Sequence, residues 1–140
     1  MAASATPTQG KAQRLPKPNN IITVPTKLST DFFRQWCIFL RPLIYLTERE
    51  TDVIASFLKH RWELSQSISD PAILDTMVMS KTTTKKVMED CNLNMKHFYV
   101  VMSNLRKSKV IVNNVINPRF IPNIRKDDNG YFQLLILFKE

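Results

Sequence analysis

The stretch Thr83-Thr84-Lys85-Lys86-Val87-Met88-Glu89-Asp90-Cys91-Asn92-Leu93-Asn94-Met95-Lys96-His97-Phe98-Tyr99-Val100-Val101-Met102-Ser103-Asn104-Leu105-Arg106-Lys107-Ser108-Lys109-Val110-Ile111 reads without a gap as two short helices, a tight turn and the start of a strand. Val87, Met88 and Cys91 give the first helix an apolar side. Phe98, Val101, Met102 and Leu105 recur at the i, i+3, i+4, i+7 spacing that buries one face of the second. Between them Asn92 tolerates the left-handed conformation that ends a helix, and Leu93 fills the angle between the two helices. Asn94 is placed to accept from the first free N–H groups of the next helix.

Upstream, the pattern is helical from Ser29. Ser29 or Thr30 can cap, and Asp31 suits the positive end of the helix dipole. Phe32, Phe33, Trp36, Cys37, Phe39 and Leu40 supply a broad apolar face before Pro42. Thr47 and Glu50 have the spacing of a capping box, followed by a stripe of Val53, Ile54, Phe57, Leu58, Arg61 and Leu64. Asp70-Pro71 opens a third helix, with Ile73, Leu74, Met77 and Val78 expected inward. The pattern therefore predicts helices over 29–41, 47–65, 70–79, 82–91 and 94–107.

After Lys107 the period becomes extended, and strands are expected over 110–113, 120–125 and 131–138. Pro118 and Pro122 limit the middle one to an edge, and Asp128-Asn129-Gly130 is a strong hairpin turn because Asn-Gly accepts positive φ at both central positions. Phe132, Leu134, Ile136 and Phe138 share one face of the last strand, while Leu135 and Leu137 make the other apolar too. The expected fold is mainly α with a small β-hairpin: one domain over 28–140, preceded by an extended, proline-containing basic arm over 1–27.

The chain has 140 residues and a formal net charge of +8, unevenly placed. Lys11, Arg14, Lys17 and Lys27 give the arm +4 with no acid, and residues 28–80 total −2. Residues 81–109 carry seven bases against Glu89 and Asp90, hence +5, and the remainder adds +1. A phosphate backbone attracts such a distribution. Cys37 and Cys91 are the only cysteines and both have apolar neighbours, so they read as small core residues in a reducing compartment rather than a disulfide or metal pair. No apolar run approaches the roughly 20 residues that span a bilayer, and Met1 to Gly10 lacks a signal-peptide core, so the expectation is a cytoplasmic protein without membrane contact.

The segment from Asp90-Cys91-Asn92-Leu93-Asn94 through Leu105-Arg106-Lys107-Ser108-Lys109-Val110-Ile111 resembles the winged helix-turn-helix superfamily, over residues 80–140. Asn92 and Lys109 stand where glycine is common in that pattern. The resemblance implies a winged domain preceded by three helices, with the helix 94–107 inserted in the major groove of double-stranded DNA. Its outward row is expected to include Met95, Lys96, Tyr99, Val100, Ser103, Asn104, Arg106 and Lys107. Lys96, Ser103 and Asn104 suit base edges or phosphates, and Arg106, Lys107 and Lys109 suit the backbone. Lys85 and Lys86 with the helix start at Thr82 to Thr84, and Arg125 and Lys126 beside the wing tip, add candidate phosphate contacts.

Met95, Tyr99 and Val100 fit poorly with base reading and are also what a protein interface displays. A second expectation is therefore a winged-helix assembly component, such as a phage virion or connector protein or a polymerase-complex subunit. Such a component would be held through the arm, the Trp36 helix or the final strand, to a partner or to a second copy. Enzymatic readings find little: Gly10 and Gly130 are the only glycines, so no glycine-rich phosphate loop exists, and His60 and His97 lie in separate helices without metal-ligand spacing. No cofactor or metal is expected.

Overall fold

The computed structural model describes residues 30–124 and 139–140. Within them the order is α1 (Thr30–Phe39), α2 (Glu48–Ser65), α3 (Pro71–Val78), α4 (Lys81–Asp90), α5 (Met95–Lys107), β1 (Ile111–Val112), β2 (Val115–Ile116) and a 3-10 turn at Pro118–Phe120. The described residues are thus mainly helical, as the periodicities imply, with a small antiparallel hairpin over 111–116 where only one strand was expected. The arm and the hairpin expected at 127–130 with its strand 131–138 lie outside the described residues.

α2 is the axis of the fold. Thr47 accepts from the Glu50 N–H while Glu50 accepts from the Thr47 N–H, forming the expected capping box. Val53, Ile54, Ala55, Phe57 and Leu58 are all buried, and so are Thr51, Ser56 and His60. A helix buried on more than a single stripe must be covered from several sides. α1, α3, α4 and α5 all contact it. α1 contributes Phe32, Phe33 and Cys37, α3 Leu74 and Val78, α4 Val87, and α5 Phe98, Val101, Met102 and Leu105. Each large apolar side chain so buried contributes about 1.5–3 kcal/mol relative to its exposed state. Arg34 bridges to Glu48 and Asp52, pinning α1 to the first turns of α2, and the Trp36 indole N–H donates to the Phe120 carbonyl at 2.7 Å.

Asp70 caps α3 through the Ala72 and Ile73 amides, with Pro71 in the first turn, as its sequence requires. The inward face of α3 is narrower than the sequence pattern predicts, because Ile73 and Met77 are exposed and only Leu74 and Val78 reach the core. An eight-residue helix that meets α2, α4 and β2 along one side buries a single i, i+4 row. Phe39 likewise lies outside the core, since α1 ends there and Leu40 to Leu43 form a turn.

The strand expected over 120–125 is not formed within its described part. Residues 118–120 make the 3-10 turn and 121–124 are irregular. The partner of β1 follows at once through Asn113-Asn114, pairing Ile111 with Ile116 and Val112 with Val115. Asn113 and Asn114 have φ of 54° and 60°, the two positive values of a two-residue hairpin turn, and asparagine is among the few non-glycine residues that accept them readily. Asn-Asn is a weaker written signal than Asp128-Asn129-Gly130, so the pattern draws attention to the later turn.

Candidate nucleic-acid interface

Ser80 caps α4 by accepting from the Thr83 N–H, so the helix begins at Lys81 rather than within Thr82 to Thr84. Thr83 is buried and donates its hydroxyl to the Met77 carbonyl at 2.9 Å, which commits it to joining α3 and α4. Lys81, Lys85 and Lys86 are exposed on the side opposite Val87. Lys85 and Lys86 stand a turn beyond the helix start, which separates them from the N-terminal amides with which they were expected to act.

The α4–α5 turn is specified atom by atom. Asn92 takes φ 52°, its N–H donates to the Glu89 carbonyl at 3.2 Å, and the Leu93 N–H reaches back to Met88 at 2.9 Å. This paired 5→2 and 6→1 arrangement is the Schellman ending, with Leu93 and Met88 both packed against the core. Arg49 of α2 satisfies the Cys91 carbonyl at 3.1 Å. Asn94 then caps α5 by accepting from the His97 N–H at 2.8 Å. α5 ends in the same way as α4: Lys109 has φ 67°, its N–H meets the Arg106 carbonyl at 3.1 Å, and the Val110 N–H meets Leu105 at 3.0 Å.

With Phe98, Val101, Met102 and Leu105 buried, the solvent side of α5 carries Met95, Lys96, Tyr99, Val100, Asn104, Arg106 and Lys107, all exposed, with Ser103 half-buried. Lys109 is exposed just beyond. Of the expected site residues, Lys85, Lys86, Lys96, Tyr99, Ser103, Asn104, Arg106, Lys107 and Lys109 therefore lie on one helix–turn–helix unit whose apolar sides face α2. Arg125, Lys126 and the arm residues Lys11, Arg14, Lys17 and Lys27 lie outside the described residues. Two bases were missed: Lys81, exposed in the first turn of α4, and Arg119, exposed over the Phe120 ring at 5.6 Å. The helix start at Ser80 was the signal for Lys81; nothing local marks Arg119.

Sequence reasoning also missed a polar cluster behind this unit. Asp90, the last residue of α4, accepts from the buried Ser56 hydroxyl and pairs with His60 Nε2, each at 2.8 Å, with Lys59 Nζ at 3.5 Å. His60 Nδ1 is 3.3 Å from Glu63. Burial by itself would raise the Asp90 carboxyl, but the hydrogen bonds from Ser56 and His60 and the Lys59 charge outweigh it and hold the carboxyl below its usual value. A carboxylate at a helix C-terminus is unfavourable to the helix dipole, and these donors compensate it. Ser56 donates to the carboxylate and not to the imidazole, so the cluster has no nucleophile–base pair. It fastens α4 to α2 and pairs one of the two acids of residues 81–109 with Ser56, His60 and Lys59 of α2. The pair Asp90 and His60 is separated by 30 positions, which no local pattern reveals.

Burial pushes the Cys37 thiol up to about 12 and the Cys91 thiol to about 11, the latter helped by Asp52 and Asp90, so both stay protonated. No group of three or more His, Cys, Asp and Glu among the described residues is arranged to hold a metal ion. None of the described helices is long and apolar enough to cross a membrane. Comparison with protein-family models, with curated proteins and with solved structures gave no match.

Proposed function

We propose that the chain is a non-enzymatic winged-helix protein that binds duplex DNA, with α5 in the major groove and the basic residues of α4 and of the α5 C-terminus on the phosphate backbone. One observation carries this reading. Lys81, Lys85, Lys86, Lys96, Arg106, Lys107 and Lys109 are all exposed around a single capped helix–turn–helix unit, while Asp90 is drawn away to Ser56, His60 and Lys59. Seven exposed bases outnumber the two acids Glu89 and Asp90, and Asp90 is paired with Lys59 of α2, so the segment presents a net positive field that favours association with a polyanion. In this reading the β1–β2 hairpin follows the recognition helix where a wing begins.

The exposed Met95, Tyr99 and Val100 favour a second reading, in which the same unit is an assembly surface of a larger complex. Replacing Lys85, Lys86, Lys96, Arg106 and Lys107 together by Ala separates the two. DNA binding predicts a loss of duplex affinity of at least about a hundredfold, since each lost phosphate contact removes a counterion-release term. Unchanged affinity would exclude α4 and α5 as the DNA surface. All five side chains are exposed, so the helical content measured by circular dichroism should not change.

A further inference from the structure

The centre of the solvent side of α5 is the row Lys96, Val100, Ser103 and Lys107, which the helical period places opposite the buried Phe98, Val101, Met102 and Leu105. Val100 stands in the middle of it, 55% exposed, with Tyr99 beside it 59% exposed. A β-branched residue there is a poor choice for helix propensity and leaves most of its surface out of the core, so neither helix formation nor packing accounts for it. The row is thus cationic at both ends and carries methyl groups at its centre.

In the DNA-binding reading that order matches a major groove, with phosphates at its two rims and an apolar feature on its floor. The only apolar group that the bases present there is the thymine C5-methyl. Guanine is read by arginine or lysine, whose hydrogen bonds Val100 cannot supply, and the one arginine of α5, Arg106, lies in the last turn, away from Val100. Resting on the DNA-binding reading above, we propose that α5 reads thymine by packing the Val100 methyl groups, supported by the Tyr99 ring, against the C5-methyl of the base. Lys96 and Lys107 hold the phosphates on either side.

The test uses the full-length chain. Preferred sequences are selected from a randomised duplex pool, and the selected duplex is then synthesised with thymine or with deoxyuridine, which lacks only the methyl group, at one position at a time. The expected result is enrichment of thymine and, at the contacted position, a weakening of about threefold to fivefold on going to deoxyuridine, the size of one buried methyl. Val100→Ala, which keeps one methyl group and leaves Tyr99 in place, should discriminate between the two duplexes less than the wild type while keeping the wild-type circular dichroism spectrum. Equal binding of the thymine and deoxyuridine duplexes at every position by the wild type, or discrimination undiminished in Val100→Ala, would overturn this inference and leave DNA binding standing. Failure to bind any duplex at low salt would overturn both.

Discussion

Lys109 sits in the left-handed region at φ 67°, at the position of a Schellman ending where glycine has no steric cost. Lys109→Gly should therefore raise stability by about 1 kcal/mol in urea unfolding, less the entropy that glycine gains in the unfolded chain. If Lys109 contacts phosphate, the same variant should bind duplex more weakly; a variant that is more stable and binds equally well would remove Lys109 from the interface. Asp90 gives a pH prediction. Its carboxyl is held low in the folded state, so its contribution is fully present above the ordinary carboxylate range and is lost as pH falls through the folded value. Asp90→Asn should be less stable than wild type at neutral pH, and the gap should narrow below about pH 4. A constant gap down to acid pH would show that the carboxylate charge is not what fastens α4 to α2. The thiols give a third check: Cys37 is buried and its thiol is pushed up to about 12, so it should react with a disulfide reagent only after unfolding.

At the scale of elements, most of the helical organisation was legible because it rests on local chemistry. Thr47 with Glu50, Asp70 with Pro71, and Asn92 with Asn94 each act within a few residues of themselves, and the structure puts each in the role that its type and spacing imply. The misplaced features depend on neighbours remote in sequence. Ile73 and Met77 match the helical period, yet α3 meets too little of the fold to bury them. Pro118 to Phe120 form a 3-10 turn where an expected strand would begin, and the Phe120 carbonyl accepts from Trp36, 84 positions away. The Ser56–His60–Asp90 cluster joins α2 to the end of α4 and leaves no trace in either helix alone. The Asn94 cap gives a test at this scale. Asn94→Ala removes the acceptor for the His97 N–H and should cost about 1 kcal/mol. Because α5 would fray from the end that carries Met95 and Lys96, duplex affinity should fall with it. A loss of stability without loss of affinity would place the contact in the second half of the helix.

For the molecule as a whole, α2 is the scaffold and α4–α5 the presented unit. The core is built from all five described helices and both strands, whereas the exposed bases of residues 81–109 lie on the side of α4 and α5 turned away from it. The charge asymmetry read from the sequence survives folding as a surface, on which Asp90 is paired with Lys59 of α2. Of the apolar residues that stay outside, the period of α5 already placed Met95, Tyr99 and Val100, whereas the exposure of Leu43 and Tyr45 depends on how the chain turns between α1 and α2, which no local pattern marks. The central claim is that this surface binds duplex DNA through its phosphates. The most direct measurement is the affinity of the full-length chain for a duplex across a range of salt concentrations. The account predicts a linear fall of log affinity with log salt and a slope of about −4 or steeper, since at least five basic side chains are assigned to the contact. A flat salt dependence, or no binding at low salt, would contradict it.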